Sequence, residues 1–188
     1  METSLVVMAV SILWISSEVI LSQVKRSDGG EKSLDRSSLR FLWIAITVGV
    51  TGGIVLSKQR VGHWGTDATG TGIAGLVLIL SGIALRWCAI MSLKQHFTVD
   101  VAIAKDHRIV KTGLYGVIRH PAYAGTLLSF FGLGVYFMNS LSVLVIIVPI
   151  AAAFLYRIRV EEEALLDAFG DEYRVYQAAT KRLIPGIY

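Results

Sequence analysis

Gly113-Leu114-Tyr115-Gly116-Val117-Ile118-Arg119-His120-Pro121-Ala122-Tyr123-Ala124-Gly125 sets polar, aromatic and glycine residues directly against a long apolar run. That run extends to Met138, breaks at Asn139-Ser140 and resumes over residues 141–154. With so brief a connection the two apolar stretches are expected to form an antiparallel helical hairpin. Pro149 sits inside the second arm, where it is expected to kink the helix and free a backbone carbonyl near the bilayer middle. Polar chemistry packed beside lipid is costly, so the stretch before the hairpin reads as a site.

The rest of the chain agrees with a lipid setting. Hydrophobic residues make up 54% and charged residues 17% of the 188 residues, and the mean hydropathy is +0.60. That balance excludes an ordinary soluble domain. A helix crosses the hydrocarbon core with roughly 20 apolar residues, and the chain offers about five such segments, near residues 5–24, 39–57, 72–90, 122–138 and 141–154. The expected fold is therefore an all-α, multi-pass integral membrane protein. The first segment lacks a basic leader and stays apolar too long for a signal peptide, so it reads as a retained helix.

Basic residues set the expected orientation. With the N-terminus outside, Lys25, Arg26, Lys32, Arg36, Arg40, Lys94, Lys105, Arg108, Lys111, Arg119, Arg157, Arg159, Arg174, Lys181 and Arg182 all fall inside, and only Lys58 and Arg60 fall outside. This asymmetry predicts N-out, C-in. Arg86, near the inner end of the third segment, is expected to snorkel to the interface. The formal charge of +4 then reads as topology and contact with anionic membrane lipids, and not as a nucleic-acid surface. Cys88 stands alone, so no internal disulfide forms, and no Cys/His spacing resembles a zinc site.

Ser27-Asp28-Gly29-Gly30-Glu31-Lys32-Ser33 reads as a surface loop, and the whole chain, residues 1–188, as one domain. Residues 1–90 supply N-terminal helices and residues 91–188 a catalytic half. Residues 91–120 and 157–188 are too polar to span and share the inner side, so they can meet there. The second of these continues the last spanning helix through Arg157, Glu161, Glu162 and Glu163 to a C-terminal cap at Phe169-Gly170. Arg157 and Glu161, four apart, share a helical face.

Three linked pieces make up a family likeness over residues 96–185. They are His107–Tyr115, the Arg119-His120-Pro121-Ala122-Tyr123-Ala124-Gly125 core, and Arg157-x-x-x-Glu161-Glu162-x-x-Leu165 followed by Phe169-Gly170-Asp171-Glu172-Tyr173-Arg174-Val175-Tyr176. In this combination the chain resembles the isoprenylcysteine carboxyl methyltransferase family, a short prokaryotic-type member of the wider group that includes phospholipid N-methyltransferases. The resemblance implies S-adenosyl-L-methionine as methyl donor, held in a cytosolic cofactor pocket formed by the C-terminal half. It also implies a prenylcysteine-like or other lipid-attached acceptor arriving from the bilayer. The membrane concerned is the cell membrane in a prokaryote, or the endoplasmic reticulum membrane in a eukaryote.

By that resemblance His107, Arg108, Ile109, Val110 and Tyr115 serve the adenine and ribose of the donor. Residue types alone fit equally an amphipathic loop with Lys105, Arg108 and Lys111 on lipid phosphate. Pro121 suits a first helical turn, where its missing N–H is no loss, and the free N–H groups of the turn His120-Pro121-Ala122-Tyr123 can receive the donor's carboxylate. Tyr123 can face the sulfonium, for about 0.5–2 kcal/mol, or belong to an interfacial aromatic belt. Glu161 can bind the donor's ribose hydroxyls or ammonium. Arg157 can present two parallel N–H groups to an acceptor carboxylate, with Arg119 a second candidate for that task. The competing reading of Arg157 and Glu161 is a surface ion pair worth about 0.3–0.5 kcal/mol, and Glu162 and Glu163 read partly that way.

Other features read as structure. Glu18 is expected to pair or to snorkel, and Gly49, Gly52, Gly53, Gly72, Gly75 and Gly82 to allow close helix packing. The same architecture also admits an amine-lipid N-methyltransferase, a sterol-reductase-like NADPH enzyme, or a non-enzymatic lipid-binding scaffold. No Gly-x-Gly-x-x-Gly strand–helix context supports the reductase.

Overall fold

The computed structural model describes residues 2–24, 36–65, 67–93 and 108–188, and all regular structure among them is helical. The expected loop at residues 27–33 and the stretch 94–107, with His107, lie outside the described residues. Helix α1 runs Glu2–Val24, α2 Arg36–Ser57, α3 Ala68–Leu93, α4 Pro121–Tyr136, α5 Ser140–Phe169 and α6 Asp171–Ala179. A 3-10 turn, Gly113–Gly116, precedes α4.

Among the described residues, three helices are long and apolar enough to cross a membrane: Ser37–Ser57, Ala68–Leu93 and Ser140–Phe169. The apolar part of α1, Leu5–Leu21, is shorter, and α4 has 16 residues. At 1.5 Å per residue α4 is roughly 24 Å long, less than a hydrocarbon core of about 30 Å. Among the described residues, length and composition thus support three of the five expected spans.

Helices α3 and α4 pack along their length, as do α2 and α5. Glycine lets the backbones meet. A Cβ on Gly82 would stand 2.3 Å from Ser129 Oγ and 2.4 Å from the Gly125 carbonyl, so α3 and α4 touch backbone to backbone there. Pro149 lies within the continuous α5 and cannot donate to the carbonyl of Val145. Gly49 of α2 packs at that freed carbonyl, 3.1 Å from where its own Cβ would be. The apolar core between the helices gathers Trp14, Leu42, Phe130, Ile146, Ile150 and Phe154.

The α4–α5 hairpin forms as expected, and its connection does more than turn the chain. Met138 adopts φ 52°, and Asn139 caps α5 by accepting from the N–H groups of Leu141 (2.9 Å) and Ser142 (3.1 Å). The Asn139 amide also donates to the carbonyls of Leu56 and Val61 at 3.1 and 2.9 Å, clamping the α2–α3 loop to the hairpin. At the far end α5 stops at Gly170, φ 52°, in the cap the sequence predicts. Thirty residues make α5 roughly 45 Å long, so its last third extends past the hydrocarbon core.

Candidate active site

Where α5 outruns the apolar bundle it meets the start of α4. Arg157 Nε donates to the Tyr123 hydroxyl (3.1 Å), which donates to Glu161 Oε2 (2.7 Å). Arg157 Nη1 donates to Ser38 Oγ on α2 at 2.9 Å, and the side chain is buried. Tyr123 therefore stands between the arginine and the carboxylate that the sequence placed on one helical face. The surface ion pair does not describe them.

His120, the residue before α4, is buried. Its ring stacks on Tyr123, centroids 5.5 Å apart and nearly parallel, and Nδ1 lies 3.8 Å from Glu161 Oε2. Glu161 stays 31% exposed, whereas Glu162 is only 4% exposed. Pro121 takes the first helical position as expected. The backbone N–H groups of Tyr123 and Ala124 both donate to the His120 carbonyl (3.1 and 3.0 Å). Those two are spent within the turn, which corrects the expectation of a first turn with free donors.

Glu162 is the residue that sequence reasoning missed. Arg119 Nε donates to its Oε1 (2.9 Å), His120 Nε2 lies 3.2 Å from the same oxygen, and Arg182 Nε donates to Oε2 (2.9 Å). The hydrogen bond to Glu162 raises the affinity of Arg182 for its proton. Arg119 also donates through Nη1 to the carbonyls of Gln177 (3.0 Å) and Thr180. Arg119 is thus bonded to this knot, and the structure gives it a clasping part beside the one expected of it.

The knot holds the C-terminal segment over the start of α4. The Arg119 and His120 N–H groups donate to the carbonyls of Lys181 (2.7 Å) and Arg182 (3.0 Å). Below them Tyr115 is buried against Ala89 and Ala122, and Tyr176 donates to the Tyr115 carbonyl at 2.7 Å. Burial raises the phenol pKa of Tyr115 and of Tyr173, and pushes Tyr176 up to about 12, so all three remain protonated donors at neutral pH. The Tyr173 hydroxyl is buried without a hydrogen-bond partner among the described residues. Arg108 is exposed and Ile109 and Val110 half-buried on the irregular approach to the 3-10 turn; Val110 packs beside Tyr115.

On the apolar side of Tyr123 lies a cavity of ≈ 530 Å³, within the roughly 300–1,000 Å³ of small-molecule sites. Residues of α1 and α2 supply most of its wall, including Val7, Trp14, Leu42 and Val50, and Tyr123 and Arg157 stand at its polar end. Glu18 and Arg86 also reach it. Both Glu18 oxygens accept from Arg86, whose Nη1 donates to Thr126 Oγ1 at 3.1 Å. Pairing is therefore the outcome for Glu18, and Arg86 is buried in that pair instead of snorkelling.

Fold and site define a class: a multi-pass helical membrane protein whose apolar cavity ends on charged and aromatic side chains at the edge of the bundle. Residues 75–167 match the isoprenylcysteine carboxyl methyltransferase (ICMT) family model. The chain is 33% identical over 113 residues to protein-S-isoprenylcysteine O-methyltransferase B of Arabidopsis thaliana, covering 59% of this chain and 57% of the relative. It is 35% identical over 107 residues to protein-S-isoprenylcysteine O-methyltransferase of Saccharomyces cerevisiae, covering 56% and 45%. The chain thus spans about half the length of these curated relatives. Its fold is similar to that of the eukaryotic intramembrane Ras methyltransferase ICMT, with TM-score 0.55 and 26% identity over 81% of this chain and 54% of that one.

Proposed function

We propose that this chain is a membrane-embedded S-adenosyl-L-methionine-dependent carboxyl O-methyltransferase acting on a prenylated cysteine or similar lipid-attached carboxylate. The observation that carries the reading is the chain of contacts Arg157–Tyr123–Glu161 at the polar end of a lipid-side cavity. The family segment and the similarity to protein-S-isoprenylcysteine O-methyltransferases support it. In this reading residues 1–188 form a single domain with residues 91–188 as its catalytic half. Five helices cross the membrane, with the N-terminus outside and the site at the cytosolic face of the cell membrane or endoplasmic reticulum membrane.

The residues fit such a donor. The stacked His120 and Tyr123 rings bring aromatic groups beside Glu161, where a sulfonium would be held. Glu161 Oε1 has no hydrogen-bond partner among the described residues and remains partly open, as a ligand for hydroxyls or an ammonium requires. Arg108, Ile109, Val110 and Tyr115 flank the base, and His107 joins them by the family resemblance. His120, Pro121 and Ala122 frame the donor's amino-acid end. When bound, the donor supplies an electrophilic methyl group. The acceptor carboxylate is already ionised at neutral pH, so an oxygen lone pair forms the new O–CH₃ bond while the S–CH₃ electron pair returns to sulfur, and no proton moves. The work of the protein is alignment, with reacting atoms about 3–3.5 Å apart. Arg157 grips the acceptor from the cavity side, Glu161 the donor from the other, and Tyr123 ties the two together.

Calorimetry on detergent-purified protein tests the donor half of this reading. S-adenosylhomocysteine should bind and NADPH should not. Glu161→Ala should weaken the former by about ten- to a hundred-fold, the loss of a hydrogen bond to a charged group. NADPH binding in its place, or unchanged affinity in the variant, would contradict it.

A further inference from the structure

Tyr173 carries a buried hydroxyl that the site described above leaves unused. It lies on α6, past the segment that the family model matches, and is 1% exposed. With Tyr176 it forms the buried face of this short helix, the two ring centroids 5.9 Å apart. The two hydroxyls differ in what they reach. That of Tyr176 donates to the Tyr115 carbonyl at 2.7 Å, whereas that of Tyr173 has no hydrogen-bond partner among the described residues. A buried hydroxyl without a partner destabilises the fold that carries it, and a phenylalanine would fill the same space without that cost. A tyrosine here therefore calls for a use of its oxygen.

The surroundings narrow that use. Helix α6 packs on α5, and Arg119 Nη1 ties its C-terminal end to the knot through the carbonyls of Gln177 and Thr180. The phenol is thus held in place beside the donor end of the site. Burial raises its pKa most, Glu162 and Glu161 raise it further, and Arg119 offsets only part of this. The hydroxyl keeps its proton in a negative field, so it suits an uncharged acceptor better than a carboxylate. Tyr176 links it to Tyr115, which flanks the base in the reading above.

Resting on the S-adenosyl-L-methionine reading, we propose that Tyr173 is a further binding residue for the methyl donor: its hydroxyl donates a hydrogen bond to an uncharged acceptor of the donor's nucleoside, a ribose oxygen or a ring nitrogen of the base. The ligand supplies the partner that the fold withholds. Binding of the donor then draws on α6 as well as on the starts of α4 and the end of α5.

Tyr173→Phe tests this by calorimetry and thermal unfolding of the detergent-purified full chain. Affinity for S-adenosylhomocysteine should fall about two- to ten-fold, the loss of one neutral hydrogen bond. Methylthioadenosine, which keeps the nucleoside and lacks the amino-acid end, should lose affinity by a like factor. The unfolding midpoint of the ligand-free variant should equal or exceed that of wild type, because no bond within the fold is removed. In turnover, KM for the donor should rise with kcat little changed, as for a contact made equally in ground and transition states. Tyr176→Phe supplies the contrasting signature of a structural hydroxyl, a lower ligand-free midpoint, since its bond to the Tyr115 carbonyl lies within the fold. Unchanged S-adenosylhomocysteine affinity in Tyr173→Phe overturns the proposal. So does a lowered ligand-free midpoint, which would mean that the hydroxyl is already paired without the donor, and so does a loss seen with S-adenosylhomocysteine and not with methylthioadenosine, which would assign the hydroxyl to the amino-acid end. If the wild-type protein binds neither ligand, the S-adenosyl-L-methionine reading itself fails.

Discussion

Arg157 and Glu161 are one helical turn apart and share one phenol, Arg157 donating to the Tyr123 hydroxyl and Glu161 accepting from it. That geometry separates their expected contributions. Arg157→Lys keeps the charge but loses the planar fork that reaches Tyr123 and Ser38. Methyl transfer should fall by about ten-fold or more while S-adenosylhomocysteine affinity changes little, read by initial rates beside calorimetry. Donor binding that collapses in this variant, or a rate equal to wild type, would contradict the assignment of Arg157 to the acceptor. The sequence made this pair legible because i,i+4 spacing and the adjacent Arg-His-Pro core are local signals. Glu162 was not legible. It sits in a run of three glutamates, and what buries it are Arg119, His120 and Arg182, brought from before α4 and after α6. Its one sequence hint was membership of the Arg157–Leu165 pattern.

At the level of elements, apolar length and glycine spacing foretold the helices, the α4–α5 hairpin and the Gly170 cap. Which glycines meet depends on register between helices, and a single chain read along its length does not show it. Gly82 against Gly125 and Ser129 is the tightest such contact between α3 and α4. Gly82→Ala must push the two backbones apart, at a cost of about 1–3 kcal/mol, seen as a lower unfolding midpoint in detergent. An unchanged midpoint would show that α3 and α4 do not meet backbone to backbone. Asn139 illustrates the same limit: its place before Ser140-Leu141-Ser142 is a cap signal, but its grip on the carbonyls of Leu56 and Val61 is long-range. Likewise Glu18 was expected to find a partner, and only the packing of α1 against α3 identifies it as Arg86.

Across the whole molecule, an apolar chamber walled by α1 and α2 leads to a polar knot built by the start of α4, the end of α5 and the C-terminal segment. The division suits a lipid-borne acceptor reaching a water-soluble donor, provided the polar end faces the cytosol. In a Cys88→Ser background, Arg60→Cys should react with an impermeant external thiol reagent on intact cells, and Val175→Cys should react only after the membrane is opened. Both positions are exposed. The reverse pattern would refute N-out, C-in. The expectation of N-out, C-in comes from where the basic residues lie along the chain, a pattern that helix packing does not enter.

The account turns on transfer to a carboxylate, and incorporation of labelled methyl groups by the purified protein in lipid vesicles measures that directly. Supplied with methyl-labelled S-adenosyl-L-methionine, the wild-type chain should form a base-labile methyl ester on an N-acetylated prenylcysteine acid, and should leave its carboxyl amide and an amine-headgroup lipid unlabelled. Label in the amine lipid with none in the prenylcysteine acid, or no ester despite bound donor, would contradict it.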